Sequence, residues 1–242
     1  MPMQALEAMV PPDISDPFLS SFTHDLRSPL FALLGYLQLM DRHLDKNPES
    51  EKMTEYLRLA REAGLRLDHM VTEMLDLARF GQRSAPMRME VVSVGDLFRK
   101  SWETFHVIAL EKKISLSLSV KGDKALTVLA DPGLLERALD NLIGNAIKFN
   151  RPEGQVVVTA VRRGGQVIFQ VQDTGLGIPR EDQSRIFEPF AQVRASDRSM
   201  GFGLGLPIVK FIAKSHGGDV ELSSDLGRGS CFSFWIPQRQ AA

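Results

Sequence analysis

The chain has 242 residues, 43% of them apolar, with 29 basic against 30 acidic side chains and a formal net charge of −1. That length accommodates one large domain or two modest ones with a core, and the near-cancelled charge gives no global case for nucleic acid or an anionic membrane as partner. The single cysteine, Cys231, excludes an internal disulfide; the longest apolar stretch, Leu30–Met40, falls short of the roughly 20 residues of a membrane span; and no basic region followed by an apolar run marks a secretory signal.

Residues 1–15 carry two consecutive prolines and few large apolar groups, and read as a flexible leader or the truncated end of a longer protein. Asp16-Pro17 then opens a helix in which Phe22, Leu26, Pro29, Leu33, Leu37, Met40 and Leu44 recur at steps of three and four. Inside it, Phe22-Thr23-His24-Asp25-Leu26-Arg27-Ser28-Pro29-Leu30 sets a histidine, a carboxylate and a proline within one or two turns. Proline there removes a backbone hydrogen bond and strikes the preceding turn, so by itself the stretch reads as a kinked core helix with a solvated His24–Asp25 pair.

Asp45–Ser50 is a turn, after which Met53, Leu57, Ala60, Gly64, Leu67, Val71, Met74 and Ala78 continue the helical spacing. The two helices make an antiparallel hairpin over 16–80. Tyr56, Ala63, Met70, Leu75 and Leu77 widen its apolar stripe beyond what one hairpin can bury. Two chains are therefore expected to join as a homodimeric four-helix bundle; the alternative is packing on the rest of the same chain.

A polar break at Gly81–Pro86 begins a linker assigned to 81–90, and 91–242 reads as a second, α+β domain. Its expected elements are a strand near 91–94, helices over 96–112 and 131–149, and strands over 114–120 and 125–130. A β-hairpin follows over 155–161 and 166–172, then a short helix ending near Phe190 and a polar segment over 194–205. A helix over 207–216 and strands over 219–223 and 229–236 complete it. His216, near a helix end, is expected to be solvated or held by the helix dipole.

Four clusters in this half carry chemistry. Asn141, Asn145 and Lys148 are spaced by four and three and share one helix face; two carboxamides and an ammonium suit a polyphosphate with its divalent metal, or are simply a solvated polar face. Asp173-Thr174-Gly175-Leu176-Gly177 follows a strand, with a carboxylate able to accept from an exocyclic amine and glycines that admit close approach, or is a plain tight turn. Phe187-Glu188-Pro189-Phe190 offers two aromatics at the edge of a lid, or two core side chains. Gly201-Phe202-Gly203-Leu204-Gly205-Leu206-Pro207 sets alternating glycines at a helix start, where free N–H groups bind phosphate.

In this order the motifs resemble the transmitter core of two-component sensor histidine kinases over roughly residues 16–237. His24–Leu30 resembles that family's H box, Asn141–Asn150 its N box, Asp173–Pro179 its G1 box, Phe187–Phe190 its F box and Gly201–Gly205 its G2 box; Gly227–Phe232 resembles its terminal glycine hairpin. The resemblance implies an α+β chain: a dimerising phosphotransfer hairpin followed by a Bergerat-type α/β-sandwich ATP-binding domain. It makes His24 the phosphoacceptor, oriented and deprotonated with help from Asp25, with Asn145 as Mg²⁺ ligand and Asn141 and Lys148 near the phosphates of ATP. Asp173 would read adenine, Gly175, Gly177, Gly201, Gly203 and Gly205 would admit the nucleotide, and Arg194 and Arg198 would meet the γ-phosphate.

The implied partners are a second copy of the chain, a response-regulator receiver domain, and a separate sensor protein or N-terminal sensor domain; the implied location is cytoplasmic. The sequence departs from the family at Asp25, where Glu is usual, at Phe149 and Asn150 in the N box, and at Ser28, where phosphatase-active members carry Thr or Asn. A non-catalytic scaffold binding nucleotide or regulator, and a predominantly phosphatase-acting member, are the alternative readings.

Overall fold

A computed structural model describes residues 16–44, 51–81, 87–189, 191 and 203–238. The chain divides into two compact units, 1–85 and 86–242.

The first unit pairs α1 (Asp16–Leu44) with α2 (Glu51–Gly81). Ala60 and Ala63 are buried on α2, where small side chains let the helices approach, and Met70 fills the seam beyond them. Tyr36 of α1 stacks on Tyr56 of α2 at 6.4 Å between ring centroids. Pro29 lies inside α1 and is buried, on the same side as the half-buried Leu26, Leu33 and Met40.

The stripe expected from the spacing divides in two. Leu37, Leu57 and Val71 were grouped with the seam residues, yet they are 46%, 57% and 47% exposed, as Leu30 and Leu34 also are in large part. Helical positions step by 100°, so a wide apolar band spans more arc than one partner helix covers. The result is a second stripe, Leu30, Leu34 and Leu37 on α1 with Leu57 and Val71 on α2, turned away from the seam. Among the described residues no helix is long and apolar enough to cross a membrane.

In the second unit, β1 (Glu90–Ser93) pairs antiparallel with β3 (Thr127–Ala130). The main sheet runs in the order β2-β4-β5-β7-β6, comprising β2 (Ser115–Lys121), β4 (Gln155–Arg163), β5 (Gln166–Asp173), β6 (Asp219–Asp225) and β7 (Gly229–Pro237). Only the β2–β4 pair is parallel. Helices α3 (Val94–Glu111), α4 (Pro132–Lys148) and α6 (Gly205–Ser215) pack on the sheet. Val167, Phe169 and Val171 of β5 are fully buried while Ile168, Gln170 and Gln172 between them are not, the period-2 mark of a sheet with one covered face.

The core is aromatic at its centre. Phe169 stacks on Phe234 of β7 at 4.8 Å and receives the edge of Phe98 from α3 at 6.4 Å. Each fully buried side chain of this size contributes about 1.5–3 kcal/mol, and the layer ties α3 to the centre of the sheet.

Three expectations need correction. The helix expected to end near Phe190 is the single turn α5 (Arg180–Gln183), after which turn bonds take over, Arg185 and Ile186 N–H both donating to the Asp182 carbonyl; Pro189 disfavours helical backbone at Glu188. The helix expected from Pro207 starts at Gly205, because proline is accommodated anywhere in a first turn whose N–H groups lack helical partners. His216 is not solvated: it is 3% exposed. Its Nε2 accepts from the Asp131 N–H (3.0 Å), so Nδ1 carries the proton and donates to the Ile212 carbonyl (2.8 Å). The neutral ring thereby ties the end of α6 to the start of α4.

Candidate functional site

Helix α4 is the platform of the site. Asp131 caps it, its Oδ1 accepting from Leu134 N–H (3.1 Å), and Pro132 occupies the first turn. Leu135, Ala138, Leu139, Leu142, Ile143, Ala146 and Ile147 are buried, which turns Asn141, Asn145 and Lys148 together to a half-buried flank. Lys148 Nζ stands 5.2 Å from the Phe149 ring. Asn141 Nδ2 is buried without a hydrogen-bond partner. Leaving such a donor unmade costs about 1–3 kcal/mol, a cost that a bound acceptor removes.

Helix α6 starts beside this amide. A Cβ at Gly205 would stand 3.2 Å from Asn141 Oδ1, so the glycine lets the helix N-terminus close on the α4 flank. Gly203, just before it, has φ +70°. Arg194, Arg198, Gly201 and Phe190 lie outside the described residues, whereas Phe187 is half-buried, edge-on to Phe232 at 6.4 Å, with Lys210 Nζ 5.9 Å from its ring.

Asp173 ends β5 and is 8% exposed. Its Oδ1 accepts from the backbone N–H of Gly175 (2.8 Å) and of Ser230 (3.2 Å), leaving Oδ2 for a ligand. Burial raises its pKa above the usual carboxylate value, and the two backbone donors pull it back. A side chain at Gly175 would run into the Phe149 carbonyl and stand 3.0 Å from Asn150 Cα; one at Gly177, which has φ +65°, would meet the Asp225 carbonyl. Those two glycines are thus required by the packing of the loop between the end of α4 and the β6–β7 turn.

The structure therefore brings Asn141 and Gly205 together, and separately Asp173, Gly175 and the α4 terminus through Phe149 and Asn150. His24 and Asp25 belong to α1, but their side chains lie outside those described; Ser28, one turn on, is exposed. Three residues at the site escaped the reading of the sequence as contributors: Ser230, Thr174 and Asn150. Ser230 donates through its backbone, which leaves no side-chain signature, and Asn150 stood out only as a departure from a family pattern. Cys231, half-buried on β7, has its thiol pKa pushed up chiefly by burial, as befits an inert packing residue.

Comparison with known proteins bears on both units. Residues 16–83 match the His Kinase A (phospho-acceptor) domain, and residues 130–240 match the histidine kinase-, DNA gyrase B- and HSP90-like ATPase domain. The circadian input-output histidine kinase CikA of Synechococcus elongatus is 34% identical over 225 residues, covering 92% of this chain and 30% of that protein. The histidine protein kinase DivJ of Caulobacter vibrioides is 32% identical over 221 residues, covering 91% and 37%.

Among solved structures, full-length ShkA in complex with AMPPNP superposes with a TM-score of 0.68 at 31% identity, over 95% of this chain and 47% of that one. The catalytic domain of the histidine kinase ThkA superposes at 0.56 with 27% identity, over 63% of this chain and 97% of that one. The chain spans about a third of the length of the curated relatives it matches. By its two domain matches, in the order and spacing of a transmitter core, the chain belongs to the two-component sensor histidine kinases.

Proposed function

We propose that the chain phosphorylates itself on His24 from ATP and passes the phosphoryl group to an aspartate of a response regulator. The observation that carries the reading is the orphaned Asn141 Nδ2, buried beside the glycine-led start of α6, where a polyphosphate would supply the missing acceptor. The donor set fits the nucleotide and its metal. Asn145 would hold Mg²⁺ through its amide oxygen, which would neutralise charge on the β- and γ-phosphates. Lys148 would offset the remaining charge, and Asp173 Oδ2 would accept from the adenine amine, with Gly201, Gly203 and Gly205 admitting the nucleotide and Gly175 and Gly177 shaping the loop that presents Asp173 to it. Arg194 and Arg198 would meet the γ-phosphate.

In the reaction a neutral imidazole nitrogen of His24 attacks the γ-phosphorus, the bond from that phosphorus to the β,γ-bridging oxygen breaks, and ADP leaves. Asp25 orients the ring and takes up its proton. Asp25 is one methylene shorter than glutamate, so it keeps the charge with a different reach. Ser28, exposed one turn along α1, is the position from which a water would be held for dephosphorylation. The hairpin over 16–80 would dimerise through the second apolar stripe, followed by the 81–90 linker and the catalytic domain over 91–242. A separate sensor protein or an N-terminal sensor domain would supply the stimulus, and the reaction would run in the cytoplasm, where ATP is available.

Incubation with γ-labelled ATP and Mg²⁺ is the test. The expected product is protein-bound phosphate that is labile in acid and stable in base, the chemistry of a phosphoramidate. A chain that binds ATP as a dimer but never labels would instead be a nucleotide-binding scaffold.

A further inference from the structure

A compact set of hydrogen bonds joins the end of α4 to the loop that carries Asp173, and none of its side chains points at a phosphate or a metal in the reading above. Thr174, between Asp173 and Gly175, spends its N–H and its hydroxyl on two neighbours. Its N–H donates to the Gln155 carbonyl (3.1 Å), its Oγ1 accepts from Gln155 N–H (2.8 Å), and the same hydroxyl donates to Asn150 Oδ1 (3.4 Å). Asn150 completes the set from the other side: Nδ2 donates to the Gln155 carbonyl (3.0 Å), and Oδ1 also accepts from Arg151 N–H (3.0 Å). Gln155 is the first residue of β4, which pairs with both β2 and β5. The loop is thus fastened to the start of an interior strand of the sheet.

The next residue transmits this placement. Gly175 is pressed against Phe149 and Asn150, and Leu176 N–H donates to the Phe149 carbonyl (3.1 Å). Gly175 N–H is the shorter of the two donors on Asp173 Oδ1, at 2.8 Å against 3.2 Å from Ser230. Rotating the Thr174–Gly175 peptide would remove that donor and free the carboxylate to turn about its χ angles, with Ser230 alone left to hold it. A carboxylate that reads one amine depends on its angle as well as its charge.

We propose that Thr174 and Asn150 are positioning residues for base recognition: through Gly175 they set the angle at which Asp173 accepts a hydrogen bond from the exocyclic amine of adenine. The proposal rests on the assignment of Asp173 to the base made above. It differs from a purely structural role, because loosening this clasp reduces discrimination between bases more than it reduces nucleotide affinity in general.

The test is calorimetric titration of the full chain with two ligands in Mg²⁺: ATP, and purine riboside 5′-triphosphate, which lacks only the exocyclic amine. Wild type is expected to prefer ATP by about tenfold or more, the worth of one hydrogen bond to a charged group. Thr174→Val and Asn150→Ala are expected to bring the preference within about threefold while changing the affinity for the analogue less than about twofold, and Thr174→Ser, which keeps the hydroxyl, is expected to restore it. A cooperative melt checks that each variant is folded; should Thr174→Val unfold, the comparison rests on Thr174→Ser and Asn150→Ala. Parallel weakening of both ligands with the preference intact overturns the proposal and leaves the base assignment standing. Absence of any preference in wild type overturns the assignment of Asp173 to the amine, and this inference with it.

Discussion

Asp140 sits one residue before the orphaned amide of Asn141, on the side of α4 that faces α3. Burial raises its pKa to about 6, the Glu136 carboxylate adds to the rise, and the Ser101 hydroxyl at 3.3 Å and the Arg137 guanidinium oppose it. The folded state therefore favours the protonated acid relative to the usual value of about 3.9. Its contribution to stability is full below pH about 4 and is lost as pH rises through about 6. Asp140→Asn carries no charge to desolvate, so the variant is expected to match wild type near pH 4 and to melt higher at pH 7 to 8, by calorimetry of the second unit's transition. Curves that stay parallel from pH 4 to 8 would contradict this.

At this scale the sequence was readable where a side chain announced its chemistry and silent where the neighbours came from elsewhere in the chain. Asn141, Asn145 and Lys148 declare a shared face by spacing alone. Asp140 takes its hydrogen bond from Ser101, 39 residues away, and His216 from a backbone N–H 85 residues away; no local pattern encodes either.

Among the elements, the hairpin of α1 and α2 shows what spacing can and cannot resolve. The helices and their turn followed from steps of three and four, but a broad apolar band did not say which residues meet inside the chain. Leu34 and Leu37, 45% and 46% exposed, belong to the stripe that the proposed dimer covers. Each leucine buried across a two-fold interface counts twice, at about 1.5–3 kcal/mol per side chain. The double variant Leu34→Glu, Leu37→Glu is expected to sediment as a monomer while keeping its far-ultraviolet helix signal, under conditions where wild type is a dimer. A dimer that survives both charges would place the interface elsewhere.

The β-elements were easier to read, and for a physical reason. Runs of apolar, largely β-branched residues on either side of Arg162-Arg163-Gly164-Gly165 mark both strands, and β4 and β5 pair from Val156↔Asp173 to Arg163↔Gln166. The stretch from Arg180 to Pro189 was harder, because its apolar residues fit a helix while Pro189 and competing turn bonds do not. The network of Asn150, Thr174 and Gln155 was invisible for a related reason: polar residues in loops have no period.

For the whole molecule, the two compact units carry the two domains that define a transmitter core, and the proposed reaction divides between them. The second unit supplies an α4 flank, a buried carboxylate and a glycine-led helix start suited to ATP; the first supplies the histidine on α1. The proposed reaction joins these two halves at His24. It is tested most directly by comparing wild type and His24→Gln for incorporation of label from γ-labelled ATP with Mg²⁺, alongside their affinity for ATP. Equal nucleotide binding, acid-labile label on wild type, and none above background on His24→Gln are expected. Labelling of His24→Gln to the wild-type extent would contradict the proposal.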